Sequence, residues 1–120
     1  MTVRNYQDLI AWKKAFELAL EVYRVTSDFP SEEKCAITSQ MRRAGISIAS
    51  NIAEGEGRQS KAEFRHYLSI ALGSLRELET QSLISGALHY VKPAELDKLI
   101  NMSAEAGRLI NGLSKSLRKV

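Results

Sequence analysis

The sequence predicts an all-α protein that folds as an antiparallel, up-down-up-down four-helix bundle. Apolar residues recur at helical spacing over four long segments, and Pro30 and Pro93 are the only prolines. No segment alternates polar and apolar residues as a half-buried strand does. Amphipathic helices joined by short loops pack as such a bundle. We therefore expect the 120-residue chain to form one domain, residues 1–120, with helices at about 6–27, 32–54, 61–85 and 93–117.

The first predicted helix carries two apolar stripes side by side. One contains the large residues Leu9, Trp12, Phe16, Ala19, Leu20 and Tyr23. The second is made of Ala11, Ala15, Leu18, Val22 and Val25. A helix that faces one core needs only one such stripe. We therefore expect this helix to be buried on two sides, with the second stripe as an interface between copies of the chain.

The other three helices each carry one apolar stripe, and these stripes are the predicted core. In the second helix the stripe is Ile37, Met41, Ala44, Ile48 and Ile52. In the third it is Phe64, Tyr67, Leu68, Ala71, Leu75 and Leu78. In the fourth it is Leu99, Ala106, Ile110, Leu113 and Leu117.

Capping and turn residues mark the helix ends. Pro30 stops the first helix, and Pro93 suits the first turn of the fourth. Ser60 and Glu63 have the spacing of a capping box at the start of the third helix. Gly55 suits the left-handed position that follows the end of the second helix.

The net charge of +3 is concentrated at one end of the predicted bundle. The up-down-up-down topology brings together the start of the first helix, the loop after the second and the end of the fourth. That end gathers Arg4, Arg58, Lys61, Lys115, Arg118 and Lys119. Clustered cations attract polyanions, so we expect this basic end to be the nucleic-acid-binding surface. The alternative is a solvated helix end whose cations suit the helix dipole.

Residues 42–60, RRAGISIASNIAEGEGRQS, are the densest polar stretch, and one helical face of it combines Arg43, Ser47, Ser50, Asn51 and Glu54. A catalytic interpretation needs a base beside a serine, yet only His66 and His89 are available and no nucleophile elbow is present. A phosphate-loop interpretation lacks the P-loop pattern. The small residues of this stretch favour a tight helix–helix seam with an internal polar clasp.

Nothing in the sequence predicts a cofactor or a metal. Cys35 is the only cysteine, and the two histidines lack the spacing of metal ligands. No signal peptide or membrane span is recognisable, so we expect a cytoplasmic protein with no membrane partner.

Residues 6–90 contain, in order, the motifs F-P, Q-x-R-R-A, S-I, N-I-A-E-G, G-R and G-S-x-x-E-L-E. In this order the motifs resemble the four-helix-bundle family named after proteins encoded in 23S ribosomal RNA intervening sequences. The residues that match the motif positions of this family are Arg43, Ser47, Asn51, Glu54, Gly55 and Arg58.

The resemblance implies a homo-oligomer, typically a five-membered ring. A related branch is similar to the accessory protein of diversity-generating retroelements, a basic ring that works with a reverse transcriptase and nucleic acid. The expected partners are therefore copies of the chain, RNA or DNA, and a reverse transcriptase or another nucleic-acid enzyme. The leading hypothesis is a non-enzymatic ring that binds nucleic acid or such an enzyme through its basic end. The alternative is a protein-interaction scaffold ring without nucleic acid, and an enzyme is the third class.

Overall fold

The computed structural model describes the fold of residues 5–118, and the side chains of these residues except at positions 33–35. Four α-helices account for most of this range and no strand occurs within it. They are α1 (Ile10–Thr26), α2 (Ser39–Glu56), α3 (Lys61–Ala87) and α4 (Pro93–Ser116). The all-α, four-helix prediction is confirmed.

Each helix packs against the next one along the chain, and α4 closes the bundle against α1. The α1–α2 pair is antiparallel, because Arg42 near the start of α2 donates a 2.9 Å hydrogen bond to Thr26 at the end of α1. The α1–α4 pair is also antiparallel, because Lys14 lies 3.8 Å from Glu105 and Arg24 lies 3.4 Å from Glu95. The bundle measures 48 × 24 × 20 Å.

Two helices begin later than the sequence predicts. A short 3-10 turn, Tyr6–Asp8, precedes α1, and the extended backbone of Leu9 separates the two. Residues 31–38 form a 3-10 turn followed by a wide π-type turn, with a break in helical geometry at Ala36 (φ −115°, ψ −109°). Hydrophobic periodicity does not reveal these interruptions, because the apolar positions continue in register through them.

The capping signals of α3 and α4 lie where the sequence predicts them. The Ser60 hydroxyl accepts a 3.1 Å hydrogen bond from the Glu63 backbone N–H. Pro93 occupies the first turn of α4, where its missing N–H costs no helical hydrogen bond.

The predicted left-handed conformation of Gly55 is wrong. Gly55 lies inside α2, and within residues 5–118 the only residue with positive φ is His89 (φ 63°), in the turn after α3. What requires glycine at position 55 is packing. A Cβ there would lie 2.7 Å from the Tyr67 Cβ and 3.3 Å from the Phe64 carbonyl oxygen. The end of α2 can approach α3 this closely only without a side chain.

The core contains the predicted stripes of α2, α3 and α4 and, from α1, the stripe assigned to the oligomer interface. That assignment is wrong. The five α1 residues are at most 4 % exposed within the single chain, and they are Ala11, Ala15, Leu18, Val22 and Val25. Side chains already enclosed by one chain leave no surface for a second copy. The physical reason is that α2 and α4 both pack against this face of α1, and at Gly45 even an added Cβ would be in van der Waals contact with the Ala19 Cα at 3.5 Å.

A buried carboxylate joins α1 to α4. Glu21 is only 8 % exposed and accepts a 3.1 Å hydrogen bond from Arg24 Nε, while Lys98 Nζ of α4 lies 3.5 Å away. The hydrogen bond and charge of Arg24, followed by the charge of Lys98, lower the pKa of Glu21 although burial opposes the shift.

Gly55→Ala is expected to lower the free energy of unfolding by about 1–3 kcal/mol, because the added methyl overlaps α3. Gly73 is the matched control, since it lies exposed inside α3 with nothing within 4 Å of a Cβ. Gly73→Ala is expected to raise the same free energy by about 0.5–1 kcal/mol. Urea unfolding monitored by circular dichroism measures both, and equal shifts in the same direction would contradict the packing account.

Glu21→Gln is expected to destabilise the fold at pH 7 and to matter progressively less in acid. Because folding lowers the pKa of this carboxyl, its contribution is present above the unfolded pKa of about 4.3 and is lost as pH falls through the folded value. Urea midpoints of both proteins between pH 7 and pH 3 test this. A gap between the two midpoints that stays constant with pH would rule out the ion pair as its cause.

Candidate nucleic-acid interface

The basic end of the bundle combines the first turns of α3 with the last turn of α4. Lys61 is the exposed first residue of α3, and Lys115 and Arg118 are exposed at the end of α4. Arg4 and Lys119, the other two terminal cations predicted for this surface, lie outside the described residues.

Arg58 belongs to this end but its charge is engaged within the chain. Its Nη2 donates to Glu54 Oε2 at 3.0 Å and to the Tyr67 hydroxyl at 2.6 Å. The guanidinium also lies 4.9 Å from the centre of the Tyr67 ring. These three contacts tie the end of α2 to α3, so much of the Arg58 side chain is committed to the fold.

A polar cleft opens between the first half of α3 and the end of α4, and we call it the α3–α4 cleft. Its volume is about 490 Å³. The residues that line it are Ala62, Arg65, His66, Ser69, Leu72, Asn111, Ser114 and Arg118. The lining combines two guanidinium groups, an imidazole, two hydroxyls and an amide, and it includes no carboxylate. Such a donor set suits an anion.

Arg65 and Arg118 have no counter-ion among the described residues, in contrast to Arg58. Neither side chain makes an ion pair or hydrogen bond within residues 5–118, and Arg65 Nε is shut off from solvent without an acceptor. A buried N–H without a partner costs free energy, so an acceptor that reaches it would be stabilising. The structure thus leaves two guanidinium groups free to bind a ligand.

Sequence reasoning missed Arg65 and His66, although a signal was available. Both follow Lys61 by about one helical turn, so they lie at the same end of the bundle as the predicted cations. Their spacing with Ala62 and Ser69 places all four on one face of α3. Only the packing of α4 along that face turns it into a cleft.

The predicted polar clasp divides into two unconnected parts. Ser47 and Ser74 share a 2.9 Å hydrogen bond across the α2–α3 seam, and Asn51 Nδ2 donates to Ser47 Oγ at 3.0 Å. Arg43 and Glu54, the two charged members of the predicted clasp, do not join it, because both are exposed and Glu54 pairs with Arg58. The cause is the distance along the helix: three turns separate the two ends of this face, and the end of α2 finds its cation in the following loop.

The fifth predicted clasp residue, Ser50, is exposed and lies in an apolar groove between α2 and α1. We call this the aromatic groove. Its volume is about 430 Å³, and its lining is Tyr6, Trp12, Phe16, Ala19, Leu20, Tyr23, Ile46, Ala49, Ser50 and Ala53. Leu20 is 57 % exposed and Phe16 46 %. The groove therefore displays the large-residue stripe of α1 that the core does not take up.

Arg42 of α2 contacts Tyr23, one of the residues that line the aromatic groove. Its guanidinium lies 4.5 Å from the centre of the Tyr23 ring, and its Nε donates to the Thr26 hydroxyl at 2.9 Å. The two contacts bind α2 to the end of α1 and hold the Tyr23 ring against a cation. Neither periodicity nor motif spacing predicts these contacts of Arg42.

The described residues do not assemble catalytic or metal-binding chemistry around the clasp. Among the described residues, Ser47 forms hydrogen bonds with Ser74 and Asn51, and neither side chain is a general base. Within residues 5–118 no three His, Cys, Asp or Glu side chains converge as they would around a metal ion. None of the helices in this range combines the length and the hydropathy that crossing a bilayer requires.

Comparisons with known proteins agree with the fold and the motifs. The family model described as 23S rRNA-intervening sequence protein matches residues 7–112. A crystal structure from Bacteroides thetaiotaomicron, titled as a protein with unknown function from the S23 ribosomal protein family, superposes with a TM-score of 0.82. The two chains are 28 % identical, and the match covers 88 % of this chain and 96 % of that one. No curated protein matches the chain.

Proposed function

This chain belongs to the 23S rRNA-intervening sequence protein family, and we propose that it is a non-enzymatic, oligomeric bundle protein that binds nucleic acid through its basic end. The observation that carries the proposal is the absence of counter-ions for Arg65 and Arg118 among the described residues. Unpaired cations at one end of a bundle can neutralise the phosphates of a nucleic acid. The counter-ions condensed on that nucleic acid are then released, which favours binding. The expected binding is sequence-independent, because no described element has the form of a groove-reading motif.

Assembly into a homo-oligomer, with five copies as the family resemblance implies, is part of the proposal. The aromatic groove supports it, since Leu20, Phe16, Tyr23 and Ile46 are each more than 40 % exposed. Contiguous large apolar residues at a surface are typical of protein–protein contacts. We propose that a second copy of the chain covers this groove. The net charge of +3 on each chain would then be multiplied on one particle and strengthen its attraction for polyanions.

The second candidate is a scaffold ring that binds other proteins and no nucleic acid. The aromatic groove favours it, because an apolar surface of this kind serves a foreign partner as well as another copy. Capture of partners by the tagged protein after nuclease treatment separates the two. A retained protein partner, together with no RNA or DNA bound by the purified protein at low salt, would select the scaffold.

Lys115→Ala/Arg118→Ala is expected to weaken RNA binding by about tenfold or more at low salt and to flatten its salt dependence, because two phosphate contacts are removed. Fluorescence polarisation of labelled single-stranded RNA and DNA, at two salt concentrations, measures this. Both residues are exposed at the end of α4, so the fold should tolerate the change.

The matched control is Lys92→Ala/Arg108→Ala, which removes the same charge from exposed positions of the same helix region away from the basic end. It should retain most of the affinity. If the wild type binds neither RNA nor DNA at low salt, or if both double variants weaken binding equally, the basic end is not the binding surface.

Leu20→Glu and Leu18→Glu separate assembly from folding. Leu20 is 57 % exposed in the aromatic groove, so a glutamate there should dissociate the oligomer and leave the helical content unchanged. Leu18 is fully buried, and Leu18→Glu should unfold the chain because its charge is buried without a partner. Light scattering and circular dichroism measure the two effects. A wild type that is monomeric at micromolar concentration, or a Leu20→Glu variant that remains assembled, would exclude the groove as the interface.

A further inference from the structure

The α3–α4 cleft differs from the rest of the basic end because its cations are held in a concave site. Lys115 stands on the open surface, whereas Arg65 and Arg118 line the same cavity of about 490 Å³ from opposite helices. A cation on the open surface attracts a polyanion through water without fixing its geometry. Cations that converge within one cavity can bind an individual anionic group with defined geometry.

The hydrogen-bonding groups around these two cations suit the oxygens of a phosphate. Ser69 of α3 and Ser114 of α4 contribute hydroxyls to the lining, and Asn111 contributes an amide. Ala62 and Leu72 are the two apolar residues of the lining. The lining is therefore mainly polar.

The lining of the cleft contains two arginines and no carboxylate, so it favours a negatively charged ligand. Glu63, in the first turn of α3, is held by Ser60 and does not line the cleft. Three arginines elsewhere form ion pairs, Arg24 with Glu21, Arg58 with Glu54 and Arg76 with Glu79. Arg43 and Arg108 are exposed without an ion pair among the described residues, but neither lines the cleft. Arg65 and Arg118 lack such a partner, and the Nε of Arg65 is a buried donor without an acceptor. An anion with several acceptor oxygens completes this arrangement.

We propose that the α3–α4 cleft is a phosphate-binding site in which Arg65 and Arg118 hold one phosphate group from opposite sides. Guanidinium groups bind phosphate through paired, parallel hydrogen bonds, which a lysine cannot form. The phosphate group belongs to a nucleic acid or to a smaller phosphate ester. The inference rests on the proposed function only if the phosphate group belongs to a nucleic acid. Binding of the phosphate group itself does not depend on that function.

Inorganic phosphate is the first probe, titrated into the full chain at constant ionic strength against chloride. Amide chemical shifts are expected to move at Arg65, Ser69, Ser114 and Arg118 and to saturate. Arg65→Gln should weaken the apparent affinity by about tenfold or more, because it removes a charged donor. Arg118→Gln should do the same, and because Arg118 is exposed just beyond the end of α4, the fold should tolerate this change.

Two further variants separate a site from general electrostatic attraction. Arg108→Gln removes the same charge from an exposed position of α4 outside the cleft, and phosphate affinity should stay within about twofold of the wild type. Arg65→Lys keeps the charge and loses the paired donors, so it should bind phosphate more weakly than the wild type. No saturable shifts in the wild type, or equal loss in Arg65→Gln and Arg108→Gln, would overturn the proposal.

The second arm uses one oligonucleotide with either a 5′-phosphate or a 5′-hydroxyl. Tighter binding of the phosphorylated form, lost in Arg65→Gln, identifies a terminal phosphate as the ligand. Equal binding of both forms, weakened in Arg65→Gln, identifies a backbone phosphate. Oligonucleotide binding that is unchanged in Arg65→Gln and Arg118→Gln but is lost in Lys115→Ala would exclude the cleft site and leave the proposed function standing. Phosphate binding without any oligonucleotide binding would do the reverse.

Discussion

The close approach of α2 to α1 is the constraint on which the rest of the structure depends. α1 carries two apolar stripes, and a bundle can bury only one of them. At the crossing, a Cβ at Gly45 would already be in van der Waals contact with the Ala19 Cα and with the Val22 side chain. The stripe that the core takes up contains Ala15, Leu18 and Val22, which are fully buried. The large-residue stripe is consequently left outside, where it forms the aromatic groove.

A second close approach, between α2 and α3, organises the basic end. With no side chain at Gly55, the end of α2 reaches the backbone of α3 near Phe64 and the Cβ of Tyr67. The Tyr67 hydroxyl can then accept a hydrogen bond from Arg58, which also pairs with Glu54. This cation is thereby used to hold two helices together. Arg65, on another face of α3, has no such partner among the described residues and remains available in the α3–α4 cleft.

The two surfaces of interest lie on different seams of the bundle. The aromatic groove lies between α1 and α2, and the polar cleft between α3 and α4. Because each helix packs against its neighbours in chain order and α4 closes on α1, these two seams are on opposite sides. A chain that covers its aromatic groove with another copy therefore leaves the polar cleft open. Assembly and anion binding can coexist, and mutations in one surface should leave the other intact.

The sequence by itself determined the number of helices, the core faces of α2, α3 and α4, and the caps at Ser60 and Pro93. These features depend on periodicity and on local hydrogen bonding, and both are determined by residues that are close together in the sequence. Tertiary structure alone decided which stripe of α1 enters the core, why position 55 requires glycine, and that Arg65 and Arg118 line the same cleft. Periodicity fixes directions relative to a helix's own axis. It does not state which neighbour will occupy each direction, or how closely that neighbour will come.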